Sequence, residues 1–344
     1  MASLFSDYNK LNMLSKMGDP WEKLSSRIDW EKFRQPIENC FKETDPEKGG
    51  RPPFDRVMMF KILILQRYYD LSDDTIEYQI NDRLTFMRFL GLTLDDKVPD
   101  AKTIWLFRET LIQKRILENL FISFNENLKR LGMIVNKGKI ADATITEKPI
   151  DRNTREENKE IKAGRKPEVW DKNKTRQKDM DARWTKKNGK SYYGYKNHIL
   201  VDVKGKIITD YVVTPANVSD SEIGKDLLDG VFRDEEFYGD RGYPSEDINQ
   251  MMQTKGVIDK VMRRGAKHVK LGEQDEERNK SISKIRCRVE HAFGFIKRNH
   301  CKYLIRSIGI DRAMGQITLM NLTYNLFRAV RLSDQMKLDL KLGI

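Results

Sequence analysis

Cysteine is scarce: Cys40, Cys287 and Cys301 are the only three in 344 residues. An odd, scattered set cannot build a disulfide framework and fits a reducing compartment. No closely spaced cysteine pair is present, so Cys287, His291, His300 and Cys301 lack the spacing with which zinc sites usually begin. Long apolar runs are missing as well. The longest uncharged stretch in the C-terminal part, Ala313 to Phe327, is interrupted by Gln316, Asn321 and Asn325, and it falls short of the roughly 20 residues a membrane span needs. The N-terminal residues mix charged and apolar side chains with no leader-like apolar core. A glycine-rich phosphate loop ending in Gly-Lys-Ser/Thr is absent, which removes any basis for ATP use. The expectation is a cytoplasmic protein with no membrane association.

What is abundant is charge. Charged residues make up 34% of the chain and hydrophobic residues 39%, enough to bury a core in more than one domain. The net charge of +12 is unevenly spread. Residues 151–196 carry fifteen Lys/Arg against eight Asp/Glu, and residues 284–312 carry eight against two, so the remainder is near neutral. Concentrated positive charge fits a polyanionic partner, because neutralising phosphates releases condensed counterions. A generally basic, solvated surface would account for the charge equally well.

Residues 1–132 read as an all-α domain. The apolar run from Val57 through Tyr69 is broken at Asp70-Leu71-Ser72-Asp73, and Ser72 is a candidate cap for a helix over 73–81. Another helix begins near Asp100, and a longer helical stretch covers 111–131. Short helices with tight turns fit either a helix-turn-helix unit or a plain bundle. Beyond Gly132 the period changes. Lys139–Thr146 alternates and is β-branched, which predicts a strand. Residues 151–190 read as a long basic loop or insertion. Strands over His198–Val203 and Ile207–Thr214 flank a Lys204-Gly205-Lys206 turn. A helix to about Leu228, a strand over 236–240, a helix over 245–255 and a strand over 257–262 follow. After a polar stretch at 265–283, helices are predicted over 283–299 and 314–332. The order describes a mixed α/β domain over 133–332, preceded by the helical one, with 333–344 as a tail.

Three acids stand out. Asp142 lies inside the 139–146 strand, a poor place for Asp unless it is solvated or has a task. Asp240 ends a strand and enters Asp240-Arg241-Gly242-Tyr243-Pro244, where ligands of α/β sheets gather. A turn Asp bonding its own backbone is the simpler alternative. On a continuous helix, Arg286 and Lys297 would lie about 40° and 20° from Glu290, so all three would share a face. That face reads either as a local salt bridge or as a metal ligand between phosphate-binding cations. Together the acids meet the needs of phosphodiester chemistry, in which two divalent ions about 3.5–4 Å apart hold the attacking and leaving oxygens. Such hard ions take carboxylate ligands.

The chain resembles the DDE transposases of bacterial insertion sequences, specifically the insertion-sequence-five group. Asp142-Ala143-Thr144 matches the first acidic motif and Asp240-Arg241-Gly242-Tyr243 the second. Arg286, Glu290 and Lys297 match the third at the family's spacing, with Ser283 where a Tyr is expected. Gly50-Arg51-Pro52-Pro53, Asp181-Ala182-Arg183-Trp184, Tyr193-Gly194-Tyr195-Lys196 and Thr214-Pro215-Ala216-Asn217 fit too. The resemblance implies an α/β, RNase H-like mixed sheet with flanking helices and Asp142, Asp240 and Glu290 as catalytic and metal-binding residues. It implies two Mg²⁺ ions, with Mn²⁺ as a substitute, binding of terminal inverted repeats, strand cleavage, and transfer of a 3′-OH to target DNA. The partner is then double-stranded DNA, a homodimer holds the two ends, and the location is nucleoid-associated. Arg286, Lys297, Arg241, Lys196 and Trp184 are the candidate DNA contacts, Trp184 by stacking an unpaired base. A nuclease of the same fold that cuts without joining, and a non-catalytic DNA-binding descendant, are the alternatives.

Overall fold

The computed structural model describes residues 6–41, 52–265, 270–298, 304–338 and 341–344. Gly50, Arg51, His300 and Cys301 lie outside them. The chain divides into two compact units. The division departs from the sequence reading at the C-terminal end: Thr318–Ile344 groups with the residues up to Leu131, while Gly132–Arg298 and the residues leading to Ile317 form the second unit.

The first unit is helical. Its elements are α1 (Ser6–Lys16), α2 (Pro20–Arg27), α3 (Arg34–Glu38), α4 (Arg56–Tyr69), α5 (Asp73–Asp82), α6 (Leu84–Leu90), α7 (Ala101–Gln113) and α8 (Ile116–Arg130). Side-chain caps start them where the sequence allows: Asp55 accepts from Met58 N–H at 2.8 Å, Ser72 from Thr75 N–H at 3.1 Å and Asp100 from Thr103 N–H at 2.7 Å. The continuous helix expected over 111–131 is instead broken at Arg115, whose φ of 52° ends α7 and starts α8. The core is aromatic. Trp21 is 1% exposed, with the rings of Tyr68, Phe89 and Phe327 centred 5.0, 4.9 and 5.4 Å away, contacts worth about 0.5–1.5 kcal/mol each beyond burial.

The second unit is built on a six-stranded mixed sheet. Its strands are β1 (Gly138–Glu147), β2 (Arg183–Lys187), β3 (Lys190–Asp202), β4 (Ile208–Pro215), β5 (Glu236–Gly239) and β6 (Ile258–Val261). Between β1 and β2 lie α9 (Arg155–Lys162) and α10 (Lys172–Gln177); α11 (Asp220–Asp229) and α12 (Glu246–Lys255) follow β4 and β5. β3 runs antiparallel to β1, β4 and β2, whereas β5 is parallel to β1 and β6 to β5. This is the RNase H-like mixed sheet with flanking helices. One face carries a core of Ala141, Leu200, Leu227, Phe237 and Ile248 under α11 and α12. Ile140 and Ala141, on opposite faces of β1, are both fully buried, as a central strand requires.

Two expectations fail in this unit. Residues 151–190 are not a loop. Thr154 and Glu157 form a reciprocal cap on α9, and Asn188-Gly189, with φ of 51° and 79°, turns β2 into β3. The buried Glu157 carboxylate gathers the segment: it accepts from Trp170 Nε1 at 2.7 Å and pairs with Lys174 at 2.9 Å and Lys178 at 3.6 Å. The helix predicted over 283–299 begins earlier, within the polar stretch, because α13 (Glu273–Arg286) starts ten residues before it. A 3-10 turn at Cys287–Val289 then separates α13 from α14 (Glu290–Arg298). The last helix, α15, runs over Ile310–Gln335.

Candidate active site

β1 and β5 are parallel neighbours, with Ile140 opposite Tyr238. Continuing that register by two residues sets Asp142 beside Asp240, which follows the last residue of β5. The two acids, 98 residues apart in sequence, therefore meet because of strand order.

Each carboxylate is held. Asp142 Oδ1 accepts from the Ala143 N–H and Oδ2 from Arg286 Nη1, both at 2.8 Å. Its side chain is 16% exposed, and burial pushes its pKa up to about 6; Arg286 and the Ala143 N–H oppose that rise, and the negative charge of Asp240 adds to it. Asp240 Oδ1 accepts from the Gly242 N–H at 2.7 Å, the local turn bond that an Asp in this position commonly makes. A side chain at Gly242 would put a Cβ 3.0 Å from that oxygen, and one at Gly239 would press on the Tyr243 ring at 3.2 Å. A larger residue would crowd the Asp240 carboxylate at the first position and the Tyr243 ring at the second.

The third acid is placed differently from the expectation. Arg286 is the last residue of α13 and Glu290 the first of α14, so the 3-10 turn between them breaks the single helix face assumed for Arg286, Glu290 and Lys297. Arg286 pairs across the fold with Asp142, not along the helix with Glu290. Anchors on both sides explain the break. Arg278 donates to Val261 O at 2.6 Å and Asn279 bonds both the N–H and C=O of Arg263, fixing α13 on β6. Val289 is fully buried, and Arg288 reaches Val203 O at 3.3 Å. Glu290 is exposed. Among the described residues no three His, Cys, Asp or Glu side chains converge closely enough to hold a metal ion.

The candidate DNA contacts divide in two. Arg241 and Lys297 are exposed. Lys196 turns inward, donating to Val218 O at 2.7 Å and Asp220 at 3.0 Å. Trp184 donates its indole N–H to Asn153 O at 2.8 Å and packs on Tyr193, 5.2 Å between centroids. Tyr193 and Tyr195 are fully buried, Tyr195 donating to Asp179, so these aromatics serve the hairpin core. Two groups whose charges act here were not among the candidate site residues: Lys187 at the exposed hairpin tip, which acts on Asp142, and Asp220, which acts with Asp142 and Asp240 on the buried Tyr243 of the second motif. The Asn188-Gly189 turn signal would have placed Lys187; nothing local marks Asp220 as part of the site.

Residues 9–110 match the family described as Transposase domain (DUF772), and residues 150–326 match the Transposase DDE domain. The second match covers just over half of the chain. The chain belongs to the DDE transposase family. As a DDE transposase it is a DNA-cleaving and strand-transferring enzyme that depends on a divalent metal. Asp240 and Glu290 lie within the matched residues, and Asp142 lies eight residues before them. Among solved structures the transposase is similar to a piggyBac transposase synaptic complex with hairpin DNA, at 13% identity and a TM-score of 0.45, over 93% of this chain and 74% of that one. Among the described residues no helix is long and apolar enough to cross a membrane.

The donor chemistry fits such a metal. Asp142, within β1, and Asp240, just past the end of β5, are hard oxygen donors, and their mutual repulsion is the electrostatic condition a divalent cation relieves.

Proposed function

We propose that this chain is a transposase of the insertion-sequence-five group. It binds the terminal inverted repeats of its element, cleaves them by hydrolysis and joins the freed 3′-OH to target DNA in the same site. The observation that carries this is the parallel register of β1 on β5, which, continued two residues past Ile140 and Tyr238, brings Asp142 beside Asp240, in a chain that matches the DDE family. Asp142, Asp240 and Glu290 are the proposed ligands of two Mg²⁺ ions, or of Mn²⁺ in their place. Bound there, the metal neutralises charge developing on the phosphoryl oxygens and makes water a better nucleophile. The chain's own contribution is positioning. Arg286 and the Ala143 N–H fix both oxygens of Asp142, and the Gly242 N–H fixes one oxygen of Asp240. No side chain is needed as a covalent nucleophile.

Arg241, Lys297 and the exposed Lys186, Lys187 and Lys190 of the β2–β3 hairpin are the proposed phosphate contacts. The helical domain over 1–132 is the proposed reader of the terminal repeats. Two ends must be held together, so a homodimer on DNA is expected, acting in the cytoplasm at the nucleoid. A strand-transfer assay with pre-cleaved terminal-repeat duplexes and a supercoiled target tests the joining step. Joined products support it; nicking of the target with no joined ends assigns the chain to a cutting-only nuclease.

A further inference from the structure

α11 opens with Asp220, and its side chain turns back toward the sheet. Oδ1 accepts from Lys196 Nζ at 3.0 Å and lies 3.6 Å from His198 Nδ1. Oδ2 faces the Asp240 turn: the point where a Cβ on Gly242 would sit is 3.8 Å from Asp220 Oδ2 and 3.0 Å from Asp240 Oδ1. His198 in turn stands opposite Ala143, the neighbour of Asp142. Asp220 thus joins the carboxylate pair from a third element.

A second observation marks the same place. Tyr243 is fully buried and its hydroxyl has no hydrogen-bond partner, a condition that costs about 1–3 kcal/mol. The groups whose charges act on that hydroxyl are Asp220, Asp142, Asp240 and Arg286. A buried hydroxyl with no partner of its own, lying in the field of these charged groups, marks a site shaped for more than packing. The charges there are three acids against Arg286, bonded to Asp142, Lys196, bonded to Asp220, and the more distant Lys187, which also acts on Asp142.

We propose that Asp220 is a fourth acidic residue of the active site, a positioning residue that strengthens divalent-cation binding at Asp142 and Asp240, with Lys196 as its counterion. The inference rests on the metal-site reading above. Asp220 adds negative potential beside the Asp240 turn, and Lys196 limits it. Groups behind metal ligands typically change metal affinity about 10–100-fold.

The test is a titration of the full chain, without DNA, with Mn²⁺ as the probe, free ion being followed by electron paramagnetic resonance. Asp220→Asn retains the Ser219 cap of α11 and is expected to weaken Mn²⁺ binding about tenfold. Lys196→Met leaves Asp220 without its counterion and is expected to tighten binding, an opposite change that a loss of folding does not produce. Asp240→Asn is the control and should abolish binding. If Asp240→Asn abolishes binding and Asp220→Asn and Lys196→Met leave it unchanged, Asp220 has no such role and the metal-site reading stands. If Asp240→Asn itself changes nothing, the metal-site reading fails and the proposal fails with it. Should Asp220→Asn not fold, Lys196→Met decides: tighter binding supports the proposal and unchanged binding overturns it.

Discussion

Replacing Glu157 by Gln should loosen the basic segment before the β2–β3 hairpin, and by an amount that depends on pH. The Glu157 carboxylate is 5% exposed. Burial alone would raise its pKa, but the Trp170 indole, Lys174, the Thr154 N–H and Lys178 outweigh it and hold it down at about 2, against an ordinary 4.5. The folded pKa is depressed, so the stabilisation is fully present above the unfolded value and is lost as pH falls through the folded one. At ~1.4 kcal/mol per pKa unit the carboxylate contributes about 3 kcal/mol at pH 6. By pH 3, where much of the unfolded-state difference has been titrated away, about 1 kcal/mol remains. Gln keeps one acceptor oxygen and the shape but loses the charge facing both lysines. Hydrogen exchange of the backbone amides over Arg155–Gln177, wild type against Glu157→Gln, measures the difference at each pH. A large protection difference at pH 6 that shrinks at pH 3 is expected. A difference equal at the two pH values would refute the assignment of this stability to the Glu157 charge.

Gly194 is the second structural test. Its φ of 150° is closed to most side chains, and a Cβ there would collide with Thr146 O of β1. Gly194→Ala should therefore cost about 2 kcal/mol or more, seen as a lower melting temperature; an unchanged melting temperature would mean that β1 and β3 approach less closely. For DNA contact, Lys297→Ala and Arg241→Ala should each lower the slope of log affinity against log salt by about one unit. Lys196→Ala should leave that slope unchanged, because its ammonium is engaged by Asp220 and Val218. A drop for Lys196→Ala equal to that for Lys297→Ala would return Lys196 to the DNA surface.

Much of the sheet could be read from sequence because its signals are local. The alternation around Asp142 and the Lys204-Gly205-Lys206 turn each specify an element without help from the rest of the chain. The Asp202 carboxylate, which accepts from the Gly205 N–H at 2.5 Å, secures the same turn. The missed elements are of two kinds. α9 and β2 carried readable signals, the Thr154–Glu157 capping box and Asn188-Gly189, but their high charge hid the pattern; Glu157 is buried as a carboxylate, which hydropathy does not anticipate. α13 carried almost none, since Asn279 and Ile282 are its only buried residues and no apolar period exists to be read.

At the site, the acids were legible as types in context, and the register of β1 on β5 supplies the reason Asp142 and Asp240 adjoin. The position of Glu290 was not legible. A uniform helical period carries Arg286, Glu290 and Lys297 around one face, whereas contacts distant in sequence, Arg286 to Asp142 and Arg288 to Val203, impose a 3-10 turn at Cys287–Val289. Lys196 reads from sequence as a DNA contact and Asp220 as one acid among many; their ion pair depends on the packing of α11 against β3.

The most direct test is cleavage of a labelled duplex carrying the element's own terminal repeats, with Mg²⁺ or EDTA, by the wild-type chain and by Asp142→Asn, Asp240→Asn and Glu290→Gln. Ends bearing a 3′-OH are expected from the wild type with Mg²⁺, and none with EDTA or from any of the three variants. Cleavage at the wild-type rate by Asp240→Asn or Asp142→Asn, or in EDTA, would contradict a metal-dependent site built on this pair; the same rate from Glu290→Gln alone would remove the third acid and leave the pair.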